Sequence, residues 1–173
     1  MSGVAHAVRL FAGPADVLER FHAVATGAVI VWLTSGAEIA ALALTDAVHD
    51  ALHRANGTGA WADQGPRLSS SDMAFAQRLS ERGPLAYLET DYAGGAGYQS
   101  AMLWIGGGVA LGPMTMTVEQ GRSRAARLWP INAALRGLGV RADEGGDEFS
   151  RFGLVRYGSN DAIVAHGRPI ARR

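Results

Sequence analysis

LAYLETDYAGGAGYQSAMLWIGGGVAL, residues 85–111, carries two runs of alternating side chains joined by a glycine-rich turn. A period of two places Leu85, Tyr87, Glu89 and Asp91 on one face of the first run, with Ala86, Leu88, Thr90 and Tyr92 on the other. In the second run Gln99, Ala101, Leu103 and Ile105 oppose Tyr98, Ser100, Met102 and Trp104. Each run is apolar at its far end and polar beside the turn. The pattern predicts a β-hairpin whose base lies in the core. Its tip would present Glu89, Asp91, Tyr92, Tyr98 and Gln99 around Gly94, Gly95 and Gly97.

Working outward, residues 4–11 predict a first strand, and Gly13-Pro14 opens a helix with Val17, Leu18, Phe21 and Val24 on its apolar stripe. Residues 28–34 form a continuous apolar run, a buried strand, and residues 39–44 pair back after the Ser35-Gly36 turn. Thr45 caps a helix to about residue 55, stopped by Asn56-Gly57, and Ser70 or Ser71 caps the next. An extended segment passing into an Arg-bearing loop is expected over 114–127. A short helix follows at 130–138, then a strand at 154–157, with the tail after about 158 irregular. Hairpins mixed with helices predict one α+β domain, a largely antiparallel sheet packed with helices.

Composition narrows the function classes. The chain has 173 residues, enough for a core without staples, and no cysteine, which excludes disulfides and thiol chemistry. Net charge is zero and all 16 basic residues are arginine. A neutral balance argues against generic nucleic-acid binding, which needs clustered cations. Charge is nonetheless polarised: six arginines against ten acids up to residue 118 give −4, and ten against six from 119 onward give +4. Either the halves neutralise each other in the fold or the asymmetry steers a charged partner. The first sixteen residues lack a basic n-region followed by an apolar h-region, and the apolar run near residue 30 is too short to span a bilayer. The expectation is a cytoplasmic protein without membrane or nucleic-acid partners.

Chemical motifs are sparse. Asp46, His49, Asp50 and His53 lie at i, i+3, i+4 and i+7, one stripe of a helix. Val48, Ala51, Leu52 and Ala55 already supply the buried stripe, so the histidines are expected to face water and hold no metal. GGAG before YQSAMLW is neither a P-loop nor a dinucleotide fingerprint, because a strand rather than a helix follows it. No GxSxG elbow is present, Ser69, Ser70 and Ser71 are explained by capping, and His6 reads as a hydrogen-bonded core histidine. Glu89 and Asp91 share a strand face about 7 Å apart, a spacing open to acid–base work, to metal binding or to pairing with arginines at an interface. No third catalytic group accompanies them, so no catalytic residue and no cofactor is expected.

The tract ETDYAGGAGYQSAMLW, residues 89–104, resembles small bacterial immunity proteins encoded beside polymorphic toxins. Glu89, Tyr92, Gly94, Gly95, Gly97, Gln99, Ala101 and Trp104 match an acidic strand end, an aromatic, a Gly-Gly turn, Gly-x-Gln-x-Ala and a strand ending in Trp. INAALRGLGV (131–140) and DEFSRFGL (147–154) are similar to the later helix and acidic-aromatic turn; beyond Tyr157 the likeness stops. The resemblance implies a non-enzymatic inhibitor of a cognate toxin, with Glu89, Asp91, Tyr92, Gly94, Gly95, Gly97, Tyr98 and Gln99 at the binding tip. The competing expectation is a small enzyme or ligand-binding domain with a pocket near Glu89, Asp91 and Gln99.

Overall fold

The computed structural model describes residues 5–63 and 65–170. The chain runs β1 (His6–Gly13), α1 (Ala15–Leu18) with a 3-10 turn (Glu19–Ala23), β2 (Ile30–Trp32), β3 (Ala40–Ala43), α2 (Asp46–Asn56) and α3 (Ser70–Leu79). It continues through β4 (Leu85–Ala93), β5 (Ala96–Ile105), β6 (Gly108–Thr117), α4 (Val118–Gly121), α5 (Pro130–Gly137), α6 (Glu148–Phe152), α7 (Asn160–His166) and β7 (Arg168–Pro169). The seven strands form one sheet, ordered β6-β5-β4-β1-β3-β2-β7, and every pairing between them is antiparallel. This is an α+β domain, as the sequence predicts.

Helices cover both faces of the sheet. Phe11, Leu42, Tyr87 and Trp104 face Val17 and Leu18 of α1, Val48 and Leu52 of α2, and Phe75 and Ala76 of α3. On the opposite face Leu10, Ala41, Leu88 and Leu103 pack with Ile131, Ala134 and Leu135 of α5, Phe152 of α6 and Ile163 of α7. Two covered faces require strands that are apolar on both sides, which is why β3 reads AALA and is buried at every position. The expected hairpin forms, with Leu85 opposite Trp104 and Tyr92 opposite Gly97.

Several expectations change: Ser69 rather than Ser70 or Ser71 caps α3, and the helix after Pro14 is α-helical only over Ala15–Leu18 before a 3-10 turn. The strand expected over 28–34 is reduced to Ile30–Trp32, with Val31 and Leu33 buried. Gly106 and Gly107, both at positive φ, turn the chain into a second hairpin, so β6 becomes an edge strand where only a loosely extended segment was foreseen. The strand expected at 154–157 is a 3-10 turn (Leu154–Arg156), because Gly153 at φ +96° ends α6 in a left-handed cap. The tail after 158 is ordered rather than irregular. Ser159 accepts from the Ala162 N–H to start α7, and Arg168 and Pro169 pair with β2. Val4, the expected start of the first strand, lies outside the described residues.

Candidate functional site

The polar ends of β4 and β5 divide between the two faces of the sheet, because adjacent residues on a strand point oppositely. On the α2–α3 side sits Glu89, only 1% exposed. Its Oε2 accepts from the Tyr87 hydroxyl at 2.9 Å and the Arg67 backbone N–H at 2.8 Å. Its Oε1 accepts from the Tyr98 hydroxyl at 2.8 Å and lies 3.5 Å from Arg67 Nε. Three hydrogen bonds and one ion-pair contact hold the carboxylate. Arg67 reaches on to Asp91, Nη2 to Oδ2 at 3.0 Å. Burial opposes the Arg67 charge, but Tyr98, Glu89 and Asp91 together raise its pKa.

Both phenols are held protonated. Burial, then the neighbouring Glu89 anion, pushes Tyr87 well above its ordinary pKa, and the same causes raise Tyr98 to about 12. Glu89 is therefore an enclosed acceptor within the fold. It is not exposed at the tip, although the sequence suggested so.

The opposite side holds Gln99, also buried. Its Nε2 donates to the Tyr92 hydroxyl and its Oε1 accepts from the Ile131 N–H, each at 2.8 Å. Pro130 brings no N–H to the first turn of α5, so Gln99 satisfies the next orphan donor. Burial raises the Tyr92 pKa. His6 is hydrogen-bonded as expected but only partly buried rather than in the core: Nε2 donates to the Leu154 carbonyl at 3.0 Å, leaving Nδ1 to accept from the Thr90 hydroxyl at 2.7 Å. A cleft of about 320 Å³ lies over Arg9, Arg67, Glu89 and Asp91, but Gln99 is not part of it. The three residues of the expected pocket do not converge.

The glycines play different parts. Gly94 and Gly95 make the exposed turn, where a Cβ would meet only open space, whereas a Cβ on Gly97 would collide with the Asp91 carbonyl. Gly97 serves close backbone approach within the hairpin.

The helix stripe departs most from expectation. Asp46 and Asp50 are exposed, but His49 and His53 turn toward α3, and the Nε2 of each lies 3.3 Å from Oδ2 of Asp72. Asp72 is 2% exposed. The same oxygen accepts from the backbone N–H and the hydroxyl of Ser69, both at 2.9 Å, in a capping box that starts α3. The imidazole centroids are 4.0 Å apart, and the Trp61 ring lies 5.5 and 5.6 Å from them. Ser69 Oγ is 3.4 Å from His53 Nε2. That is not a nucleophile triad, because serine and carboxylate meet the same ring nitrogen, where a triad needs them on opposite nitrogens.

Beside the hairpin tip, Tyr92, Trp129 and Phe149 line a groove bounded by Arg122 and Arg124. Trp129 packs against Gly121, where a Cβ would meet its ring. Arg122, Arg124 and Arg127 are exposed, and none makes an ion pair among the described residues. Sequence reasoning missed Arg67, Asp72, Trp129 and Phe149 as site residues. Only Asp72 had a local signal, the S-x-x-D spacing from Ser69. The chain matches no family model, no curated protein and no solved structure. No helix among the described residues is long and apolar enough to cross a membrane.

Proposed function

We propose that this chain is a non-enzymatic protein-binding inhibitor of the immunity or antitoxin type, which neutralises a cognate toxin domain through the hairpin tip and the cationic surface beside it. The observation that carries the reading is the groove of Tyr92, Trp129 and Phe149 flanked by the exposed Arg122 and Arg124. Aromatic and arginine side chains are the types in which interface energy concentrates. Arginines with no ion-pair partner among the described residues favour an acidic surface on the toxin. The enclosure of Glu89 supports binding over catalysis, since this buried acid of the hairpin is 1% exposed and already held by three hydrogen bonds within the fold. The tip itself contributes Asp91, held by Arg67, and the Gly94-Gly95 turn.

The test begins with the reading frame beside this gene, whose product should carry a toxin domain. Calorimetric titration of that domain should show one-to-one binding, weakening steeply with salt. Arg122→Glu with Arg124→Glu should cost about 10- to 100-fold in affinity while leaving the melting temperature unchanged. Unaltered affinity in the folded double variant, or a neighbouring frame without a toxin domain, overturns the proposal.

A further inference from the structure

The juxtaposition of His49, His53 and Asp72 plays no part in the proposed toxin binding, and its chemistry is distinctive. Three potential ligand atoms, two imidazole nitrogens and a carboxylate oxygen, all lie within 4.8 Å of one another. The two histidines are four apart on α2, one above the other on the same face, and Asp72 faces them from α3. We propose that these three side chains form a binding site for a divalent late-transition-metal ion of the zinc class, bridging α2 to α3.

Distances favour this over a purely hydrogen-bonded cluster. Asp72 Oδ2 already has two short bonds from Ser69, at 2.9 Å each. The two imidazoles stand off at 3.3 Å, beyond the usual 2.7–3.2 Å of an N–H···O bond. Nitrogen and oxygen ligands about 2.0–2.1 Å from a tetrahedral zinc are separated along each edge by about 3.3–3.4 Å. The observed separation is that edge. An ion at the centre would also neutralise a carboxylate that is 2% exposed and has no arginine partner among the described residues.

The surroundings are those of a prepared site. Ser69 fixes the Asp72 rotamer through its backbone N–H and hydroxyl, the outer-shell support that orients metal ligands. Trp61 lies against both imidazoles and is pinned there by its bridge to Ser69, with Ser70 N–H donating to the Ala60 carbonyl at 2.7 Å. Three protein ligands leave a fourth position for water. Two imidazoles with one carboxylate suit zinc, cobalt or nickel, whereas magnesium and calcium require oxygen donors throughout.

The experiment uses the full chain, free of any tag and stripped with a chelator, then equilibrated with zinc or cobalt. Elemental analysis after dialysis should give one ion per chain. Cobalt should quench tryptophan emission, and Trp61→Phe should abolish most of that quenching without abolishing binding. A tenfold molar excess of magnesium should not compete. His49→Ala and His53→Ala should each weaken binding by more than the roughly 10- to 100-fold typical of losing an outer-shell partner. Asp50→Asn, an exposed carboxylate on the same helix, should bind as the parent does. Metal-free thermal melts of the histidine variants verify that they fold, and a small shift there leaves the affinity comparison intact. A chain that takes up no ion at micromolar concentration overturns the proposal, as does stoichiometric binding that survives the His49→Ala, His53→Ala double substitution.

Discussion

Two buried carboxylates, Glu89 on β4 and Asp72 on α3, lie on the same side of the sheet and are used in opposite ways. Glu89 spreads three hydrogen bonds over two oxygens, with the Arg67 guanidinium 3.5 Å away as an ion-pair partner. Asp72 gathers its four contacts on one oxygen, and two of these are long approaches from imidazoles. Glu89, held by three short hydrogen bonds shared between its two oxygens and by an ion pair, acts as a fastener: it ties the segment carrying Arg67 to the hairpin. Asp72, with its contacts crowded on one oxygen and two metal-ligating nitrogens standing off at 3.3 Å, is where the proposed ion would bind. Burial alone does not separate the two; the distribution of donors over the oxygens does.

If Glu89 is the fastener, Glu89→Ala should cause the largest loss of stability in this region. It leaves the Tyr87 hydroxyl and the Arg67 backbone N–H without acceptors, for a cost of about 3 kcal/mol or more, read from urea unfolding. A change below about 1 kcal/mol would mean that water replaces the carboxylate and that Glu89 resembles Asp72 after all. Next in size comes the hairpin turn. Gly97→Ala should cost about 1–3 kcal/mol through collision with the Asp91 carbonyl, whereas Gly94→Ala should cost about 1 kcal/mol, from its positive φ alone.

Ser69→Ala sharpens the Asp72 side of the comparison. Loss of the cap should lower stability by about 1 kcal/mol in metal-free buffer. It should also reduce zinc affinity by about 10- to 100-fold, since the Asp72 rotamer is then unsupported. The smallest effect is expected in alkali. Tyr98 has a folded pKa raised from 10.0 to about 12, so the folded chain retains a proton that the unfolded chain releases. Its contribution is whole below about pH 10 and is lost as pH rises toward 12. Denaturant midpoints measured across that range should fall less steeply for Tyr98→Phe than for the parent.

The hairpin was legible because its pattern is local. Alternation over residues 85–92 and 98–105 sorts side chains onto two faces, and apolar far ends with a glycine turn mark a hairpin. The helices after Pro14, Thr45 and Pro130 were legible for the same reason, each announced by a cap or a proline beside an apolar stripe. The parts that failed are those where a distant element decides. The tail has one buried apolar residue in α7, Ile163, too few for a helical period to stand out, and it is ordered by docking: Asn160 accepts from the Arg9 N–H and donates to the Leu44 carbonyl. The immunity-type reading rests on a tract whose residues, once folded, divide between two environments.

What the sequence determined by itself was the set of strands and helices with strong periods, the absence of thiol chemistry, and the pairing of β4 with β5. Only the tertiary structure decided that Glu89 is enclosed, that Gln99 serves α5 on the far side of the sheet, and that His49 and His53 look inward. The helix stripe of α2 gives the physical reason. Periodicity states which residues share a face, but a helix lying in a layer is covered on more than one side, and the second contact is set by its neighbour. His53 and Asp72 stand 19 positions apart in the chain, and they meet because α3 packs beside α2 over the same sheet face.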